Sequence, residues 1–291
     1  QFLANKALKP VDQITKTARM ITSQNLNQRI KPLKMKDEIS RLIDTFNEMI
    51  SRLDQSFRQI KQFSADASHE LKTPLTILKG EVEVTLRKER TPYEYEQTLS
   101  SNLEEINRMS QIVDDLLLLS KADIGELRLS REDINLAEVL DEVVAQLNIL
   151  AQSKNLQIET SNHHEGIHIF GDPLRIREVF LNLIENGIKY TEEGGSIRIT
   201  LTKDLHLEGE QRAFAKIVVS DTGIGIGKED QERVFDRFFR VDKARSRDQG
   251  GSGLGLSICK WIVEAHKGEI KVESEIGKGS SFIVKLPCYS P

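Results

Sequence analysis

The chain has only two cysteines in 291 residues. Cys259 and Cys288 show no CxxC spacing, which excludes a disulfide framework and fits a reducing cytoplasmic setting. No run of about 18 or more apolar residues occurs, so the sequence as given carries no membrane-spanning helix, and no signal peptide is visible. A concentrated basic stripe is also missing; with a formal net charge of -4 and a pI near 6.0, a nucleic-acid surface is not expected. There is no GxxxxGK[ST] loop, and the first glycine-rich segment, Asp221 to Gly227, lacks the helix and distal acid of a dinucleotide βαβ unit. P-loop and Rossmann readings therefore fail. His163, His164 and His168 fall in an expected loop and strand, not at the spacing of a metal site.

What is present starts with a histidine in a heptad pattern. Phe57, Ile60, Ser64, Ala67, Leu71, Pro74 and Leu78 recur at three- and four-residue steps, an a/d seam that puts His69 on the opposite side of the helix, facing water. Glu70 can polarise the imidazole, and Pro74 removes a helical hydrogen bond just after it, making that turn deformable. A second seam, Leu99, Leu103, Ile106, Val113 and Leu117, follows Thr91-Pro92, where proline favours a new helix start. Two antiparallel helices result, with two apolar stripes and little to cover them. Pairing of two copies into a four-helix bundle, a homodimer, is expected.

Upstream, Val11, Ile14, Ala18 and Ile21 predict one helix; Ile39, Leu42, Ile43, Phe46, Met49 and Leu53 predict another, with a break over Asn25 to Pro32. The second runs without a stop signal into the heptads at Phe57, so a rotation or slide of the first unit would reach His69. Gln1 to Pro10 reads like the cytoplasmic exit of a transmembrane helix, with lysines just inside it.

Near Gly125 the pattern changes to strands alternating with helices. Strands are expected at 157–160, 166–170, 196–202, 213–220, 269–273 and 281–286, and helices at 136–153, 173–190 and 255–266. At 291 residues with 38% hydrophobic content, two or three units are expected. On the 173–190 helix Glu178, Asn182 and Asn186 are spaced i, i+4, i+8, with Lys189 and Tyr190 continuing the stripe. Their oxygens suit Mg²⁺ shared with nucleotide phosphates, and Lys189 suits a phosphate. Asp221 closes a strand before Gly223 and Gly225; Gly251, Gly253, Leu254 and Gly255 open a helix. Such loops let main chain approach a ligand, and the helix start offers free N–H groups to a triphosphate. Between them, Phe235, Phe238 and Phe239 punctuate Arg233, Arg237, Arg240, Lys243, Arg245 and Arg247, the composition of a lid.

In order, these motifs resemble those of bacterial two-component sensor histidine kinases. SHELKTP (68–74) resembles the phosphoacceptor H box, NLIENGIKY (182–190) the N box, DTGIGIG (221–227) the G1 box, Phe235 to Phe239 the F box and GGSGLGL (250–256) the G2 box. Residues 1–56 resemble a HAMP linker through Pro10, Asp37, Glu38, Phe46, Asn47 and Met49. Ser40 stands where glycine is common, and Gly187 where alanine is usual; neither change removes a chemical group.

The resemblance implies a HAMP linker (1–56), a helical hairpin forming a dimeric four-helix bundle (57–124) and an α/β sandwich of the Bergerat ATP-binding fold (125–291). It implies phosphorylation of His69 from ATP with Glu70 as base, Mg²⁺ on Asn186, Asn182 and Glu178, and adenine read by Asp221. Phosphates would meet Lys189, Tyr190, Arg240 and the backbone around Gly251, Gly253, Leu254 and Gly255, with Gly223, Gly225 and Phe235 completing the nucleotide site. Transfer to an aspartate of a response regulator follows, with Thr73 positioning water to dephosphorylate that partner, in a protein anchored to the plasma membrane with this portion on the cytoplasmic side. Two other readings keep the fold: an ATP-gated conformational machine like the chaperone, mismatch-repair and gyrase ATPases, and a non-catalytic dimer scaffold. His69 at an exposed position disfavours the first, the intact nucleotide boxes the second.

Overall fold

The computed structural model describes residues 14–17, 19, 25, 26, 28–30, 38–161, 166–205, 213–241 and 251–289. It divides into two compact units, Gln1–Thr73 and Pro74–Pro291. Val11, Ala18 and Ile21 of the expected first helix lie outside the described residues.

In the first unit, residues 14–17 and 19 are helical, while Asn25, Leu26 and 28–30 are not, in line with the expected break. Helix α1 (Glu38–Leu86) has 49 residues and carries Pro74 within it. No stop signal interrupts its spacing of apolar residues, which is why it runs on through Asp54-Gln55-Ser56. Ile14, Ile30 and Ile43 are buried together, with Ile39 and Phe46 against them. Asn47 fastens the non-helical segment to α1: its Oδ1 accepts from Ile30 N and its Nδ2 donates to Ile30 O, both at 2.9 Å. One side chain thus satisfies both polar groups of a residue outside any regular element.

In the second unit, the remainder of α1 runs antiparallel to α2 (Pro92–Asp123). Thr85 and Thr98 meet through their hydroxyls at 3.3 Å, and Ser101 Oγ donates to Glu81 at 3.1 Å. The start of α2 is fixed by a reciprocal capping box between Thr91 and Glu94, with Pro92 in the first turn. The second seam is solvent-facing in the single chain: Leu99, Leu103, Ile106, Val113 and Leu117 are 41–68% exposed. The inward face of α2 carries Ile112 and Leu119 instead.

The rest is a two-layer α/β assembly. A ribbon of β1 (Glu132–Asn135) and β3 (His168–Gly171) is antiparallel. The main sheet has the order β2 (Gln157–Ser161), β4 (Ser196–Leu205), β5 (Ala213–Asp221), β7 (Gly279–Cys288), β6 (Glu269–Glu275); only the β2–β4 pair is parallel. Ala215, Ile217 and Val219 alternate along β5 onto one face. Helices α3 (Leu136–Ser153), α4 (Pro173–Tyr190) and α5 (Gly255–Ala265) share the core with that face. Leu118 and Leu119 of α2 belong to the same core. Sequence reasoning omitted β1, because four residues with a single buried apolar one, Ile134, give no readable alternation.

Asp172 ties this architecture together. Its Oδ1 accepts from Arg175 N, capping α4, and its Oδ2 accepts from Ser130 N in the segment leading out of α2. Its own N–H donates to Nε2 of buried His266 at 2.9 Å, while Nδ1 of that ring faces the Ile262 carbonyl at 2.7 Å. This pairing requires the neutral imidazole with its proton on Nδ1. Burial, outweighing the pull of the Ile262 carbonyl, and the nearby Arg131 charge hold the imidazole below its usual range. The folded value lies below the unfolded one of about 6.5, so the unfolded chain takes up the proton first and stability falls as pH drops below that value. The midpoint of thermal unfolding is expected to fall between pH 7 and pH 5, and His266→Gln to flatten that fall; parallel curves for the two proteins would refute the assignment.

Candidate functional site

The sequence-derived site residues form two groups, one in each unit. In the first, His69 is exposed on α1, Glu70 is half-buried beside it, and Thr73 donates from Oγ1 to the His69 carbonyl at 3.2 Å. The proline at 74 has no N–H to give the carbonyl of Glu70 four residues before it. The Thr73 hydroxyl therefore sits next to the one gap in the backbone ladder of this turn.

In the second, α4 sends its apolar side into the core through Ile176, Phe180, Leu183, Ile184 and Ile188, each at most 2% exposed. The opposite side carries Glu178, Asn182, Asn186 and Lys189. Glu178 pairs with Arg175 at 2.7 Å, and Asn182 Nδ2 donates to the Glu178 carbonyl at 3.0 Å. The Asn182 Oδ1 is thereby aimed at the start of α5, where a Cβ added to Gly255 would come within 2.4 Å of it. Only glycine permits that approach.

The first described glycine of the loop, Gly251, lies against the lysine. A Cβ on Gly251 would lie 2.6 Å from Lys189 Nζ, and Arg240 Nη1 donates to the Gly251 carbonyl at 2.8 Å. The Phe238 N–H donates to the Gly253 carbonyl at 2.9 Å, so the segment bearing Arg240 is bonded to the loop at two points. Leu254 is fully buried and stands at the N-cap of α5 without a side-chain capping bond. Free N–H groups at such a helix start favour an anion.

Asp221 ends β5 with Oδ1 accepting from Gly223 N at 2.8 Å and from Ser280 N at 3.2 Å. Burial lifts this carboxyl above its ordinary range, against those two donors. Gly225 follows in the same turn with φ +73°. Phe235 lies in a 3₁₀ turn (Arg233–Phe235) and meets Phe282 edge-on at 6.4 Å. Lys243, Arg245, Arg247 and Gly250 lie outside the described residues.

Burial is also the main influence on Lys189, whose ammonium is pushed down to about 8, with Arg240 and Arg108 adding repulsion. Its Nζ is 5.0 Å from the ring centroid of Tyr190, whose hydroxyl burial pushes upward. Asp115 of α2 is buried and lifted to about 6, chiefly by burial, against a 2.8 Å hydrogen bond from Gln111.

Three side chains escaped sequence reasoning. Lys154 donates to the carbonyls of Ile188, Lys189 and Thr191 at 2.9–3.1 Å, closing the end of α4 below the site. Asp123 at the end of α2 holds Arg237 by two bonds, 2.6 and 2.8 Å. Arg108 of α2 reaches the surroundings of Lys189. No local pattern announces a lysine that bonds backbone about 35 residues away, or an ion pair between elements 114 residues apart. Among the described residues no cluster of three or more His, Cys, Asp or Glu could hold a metal, and no helix is long and apolar enough to cross a membrane. His163 and His164 lie outside them; His168 bonds Asp133 at 2.8 Å.

Comparison with known proteins assigns the class. Residues 171–290 match the family model of histidine kinase-, DNA gyrase B- and HSP90-like ATPases, residues 59–125 the His Kinase A (phospho-acceptor) domain and residues 2–55 the HAMP domain. The chain belongs to the sensor histidine kinases of two-component systems. Sensor histidine kinase CusS of Escherichia coli K12 is 35% identical over 283 residues, 97% of this chain and 57% of that protein. ArlS of Staphylococcus aureus USA300 is 39% identical over 248 residues, 84% of this chain and 53% of that protein. The chain thus spans about half the length of these curated relatives. Among solved structures, the Acinetobacter baumannii histidine kinase AdeS is similar at TM-score 0.59 and 27% identity, over 75% of this chain and 97% of that one. Histidine kinase ThkA, solved with the response regulator TrrA, is similar at TM-score 0.63 and 25% identity, over 87% and 68%.

A lysine lowered to about 8 reacts as the free amine where exposed lysines, near 10.4, do not. Amine acylation followed by peptide mapping is expected to modify Lys189 with a rate rising through about pH 8. A rate that follows the bulk lysines would contradict the environment described.

Proposed function

We propose that this chain is the catalytic portion of an ATP-dependent protein-histidine kinase that phosphorylates His69 and passes the phosphoryl group to an aspartate of a response regulator. The observation that carries the nucleotide half is the meeting of Lys189, Arg240 and the Asn182 amide oxygen at the uncapped, glycine-rich start of α5. Positive charge and free N–H groups converge there on one small volume, as a triphosphate requires. Asp221, held by Gly223 and Ser280 with Oδ1 as acceptor, keeps Oδ2 for an exocyclic amine such as adenine's. The exposed imidazole of His69 on a helix carries the acceptor half.

In the reaction a ring nitrogen of His69 forms the bond to the terminal phosphorus as the bond to the β–γ bridging oxygen breaks and ADP departs. Glu70 accepts the imidazole proton, and Lys189 and Arg240 offset the charge of the phosphates. The polar side of α4 fits Mg²⁺: Asn182 Oδ1 and Asn186 are neutral oxygen donors one turn apart, with the Glu178 carboxylate one turn before them. Bound there, Mg²⁺ would neutralise triphosphate charge and fix its geometry. Thr73, next to the gap at Pro74, would orient water when the phosphorylated regulator is dephosphorylated.

Regions 1–56, 57–124 and 125–291 would act as signal linker, phosphoacceptor hairpin and ATP-binding domain. The exposed stripe Leu99, Leu103, Ile106, Val113 and Leu117 supports pairing of two hairpins as a homodimer. Anchoring to the plasma membrane would come through a segment outside this sequence, as in a sensor kinase.

Incubation with γ-labelled ATP and Mg²⁺ is expected to give an acid-labile, alkali-stable phosphoprotein. His69→Gln is expected to abolish the label, and Asn186→Ala to reduce it at least 100-fold with the fold intact by circular dichroism. Hydrolysis of ATP without any labelled protein would favour the ATP-driven conformational machine instead.

A further inference from the structure

The last third of α2 is built into the α/β core, not merely attached to it. Leu118 and Leu119 are buried among the core side chains, Asp115 lies by Ser252 and Glu178, and Asp123 grips Arg237. Arg108 stands ten residues before Leu118 on the same helix. Its Nε is buried and meets no hydrogen-bond acceptor among the described residues. The guanidinium has a loose hold within its own helix: Nη1 lies 3.5 Å from Glu105 Oε1, beyond the usual charge-assisted bond, and that oxygen is likewise buried without a hydrogen-bond partner among the described residues.

Resting on the nucleotide-site reading above, we propose that Arg108 is a third cation of the triphosphate site, supplied by the hairpin and directed at the terminal phosphate. Lys189 and Arg240 come from the α/β domain and converge on Gly251. Arg108 is close enough to Lys189 to repel its charge. Three like charges meet here with one loosely placed carboxylate, Glu105, beside Arg108 and one guanidinium donor left unmatched, so a further anion among them is favoured. The phosphate nearest a residue of the phosphoacceptor hairpin is the one to be transferred, and an Arg fork suits its oxygens. ADP lacks the γ-phosphate, so the Arg108 contact distinguishes ATP from ADP and is lost once transfer is complete. A plain i, i+3 surface pair with Glu105 is the competing account, and such pairs change little when broken.

The test is calorimetric binding of ATP, a non-hydrolysable ATP analogue and ADP to the whole chain. Wild-type protein is expected to prefer the triphosphates, and Arg108→Gln to lower their affinity about tenfold, or about 1.4 kcal/mol, while ADP binding stays within about twofold. Arg108→Lys, which keeps the charge, should restore part of the preference. Equal loss for ATP and ADP, or no loss, in a variant whose nucleotide-free unfolding midpoint matches wild type would overturn the proposal. If that midpoint drops, Arg108→Met, matching the stem without the charge, takes its place under the same criteria. Failure of wild-type protein to bind either nucleotide would remove the nucleotide-site reading itself and this proposal with it; retained wild-type binding with an unchanged ratio removes only the role of Arg108.

Discussion

The 3.6-residue period of α4 is the constraint on which the rest depends. Ile176, Phe180, Leu183, Ile184 and Ile188 are nearly inaccessible to solvent, and burying side chains of this size contributes about 1.5–3 kcal/mol each. That packing leaves the helix no freedom to rotate. Glu178, Asn182, Asn186 and Lys189 are consequently held on the outer side with the precision of the core. Asp172 at one end and Lys154 at the other close the helix with hydrogen bonds. Chemistry and stability share one element, divided by face.

The second organising contact joins elements far apart in sequence. Because Leu118 and Leu119 contribute to the α/β core, the end of the hairpin cannot move as a free arm without exposing apolar surface. Ser130 and Arg131 extend the same junction: one donates to Asp172, the other to the Ala265 carbonyl. The start of α4 and the end of α5 are both bonded to the segment that leaves α2. A displacement of that segment acts on the two helices that frame the glycine loop, which is a physical route from hairpin to site.

Much of this was legible in the sequence, for identifiable reasons. The helices expected at 136–153 and 173–190 span those same residues in the structure, with Asn135 and Asp172 as their N-caps. The polar face of α4, the glycine loops and the exposure of His69 follow from local periodicity and from the conformational freedom of glycine. β1 was illegible because its four residues acquire their meaning only from pairing with β3. Lys154, Arg108 and Asp123 were illegible because each is a surface-type charge whose partner is chosen by the tertiary fold. The seam on α2 was readable as apolar, whereas its orientation away from the hairpin partner depended on Thr98 and Ser101 taking the inner contacts.

The uninterrupted course of α1 also restricts how the chain can change over generations. Each residue added to an α-helix turns everything beyond it by about 100° and advances it about 1.5 Å. One residue inserted between Ile50, in its buried seat, and His69 would swing the imidazole away from its present bearing; four would leave it about 40° off, and seven within about 20°. Length in that stretch is therefore effectively quantised, and a lineage can lengthen or shorten it by heptads more readily than by single codons.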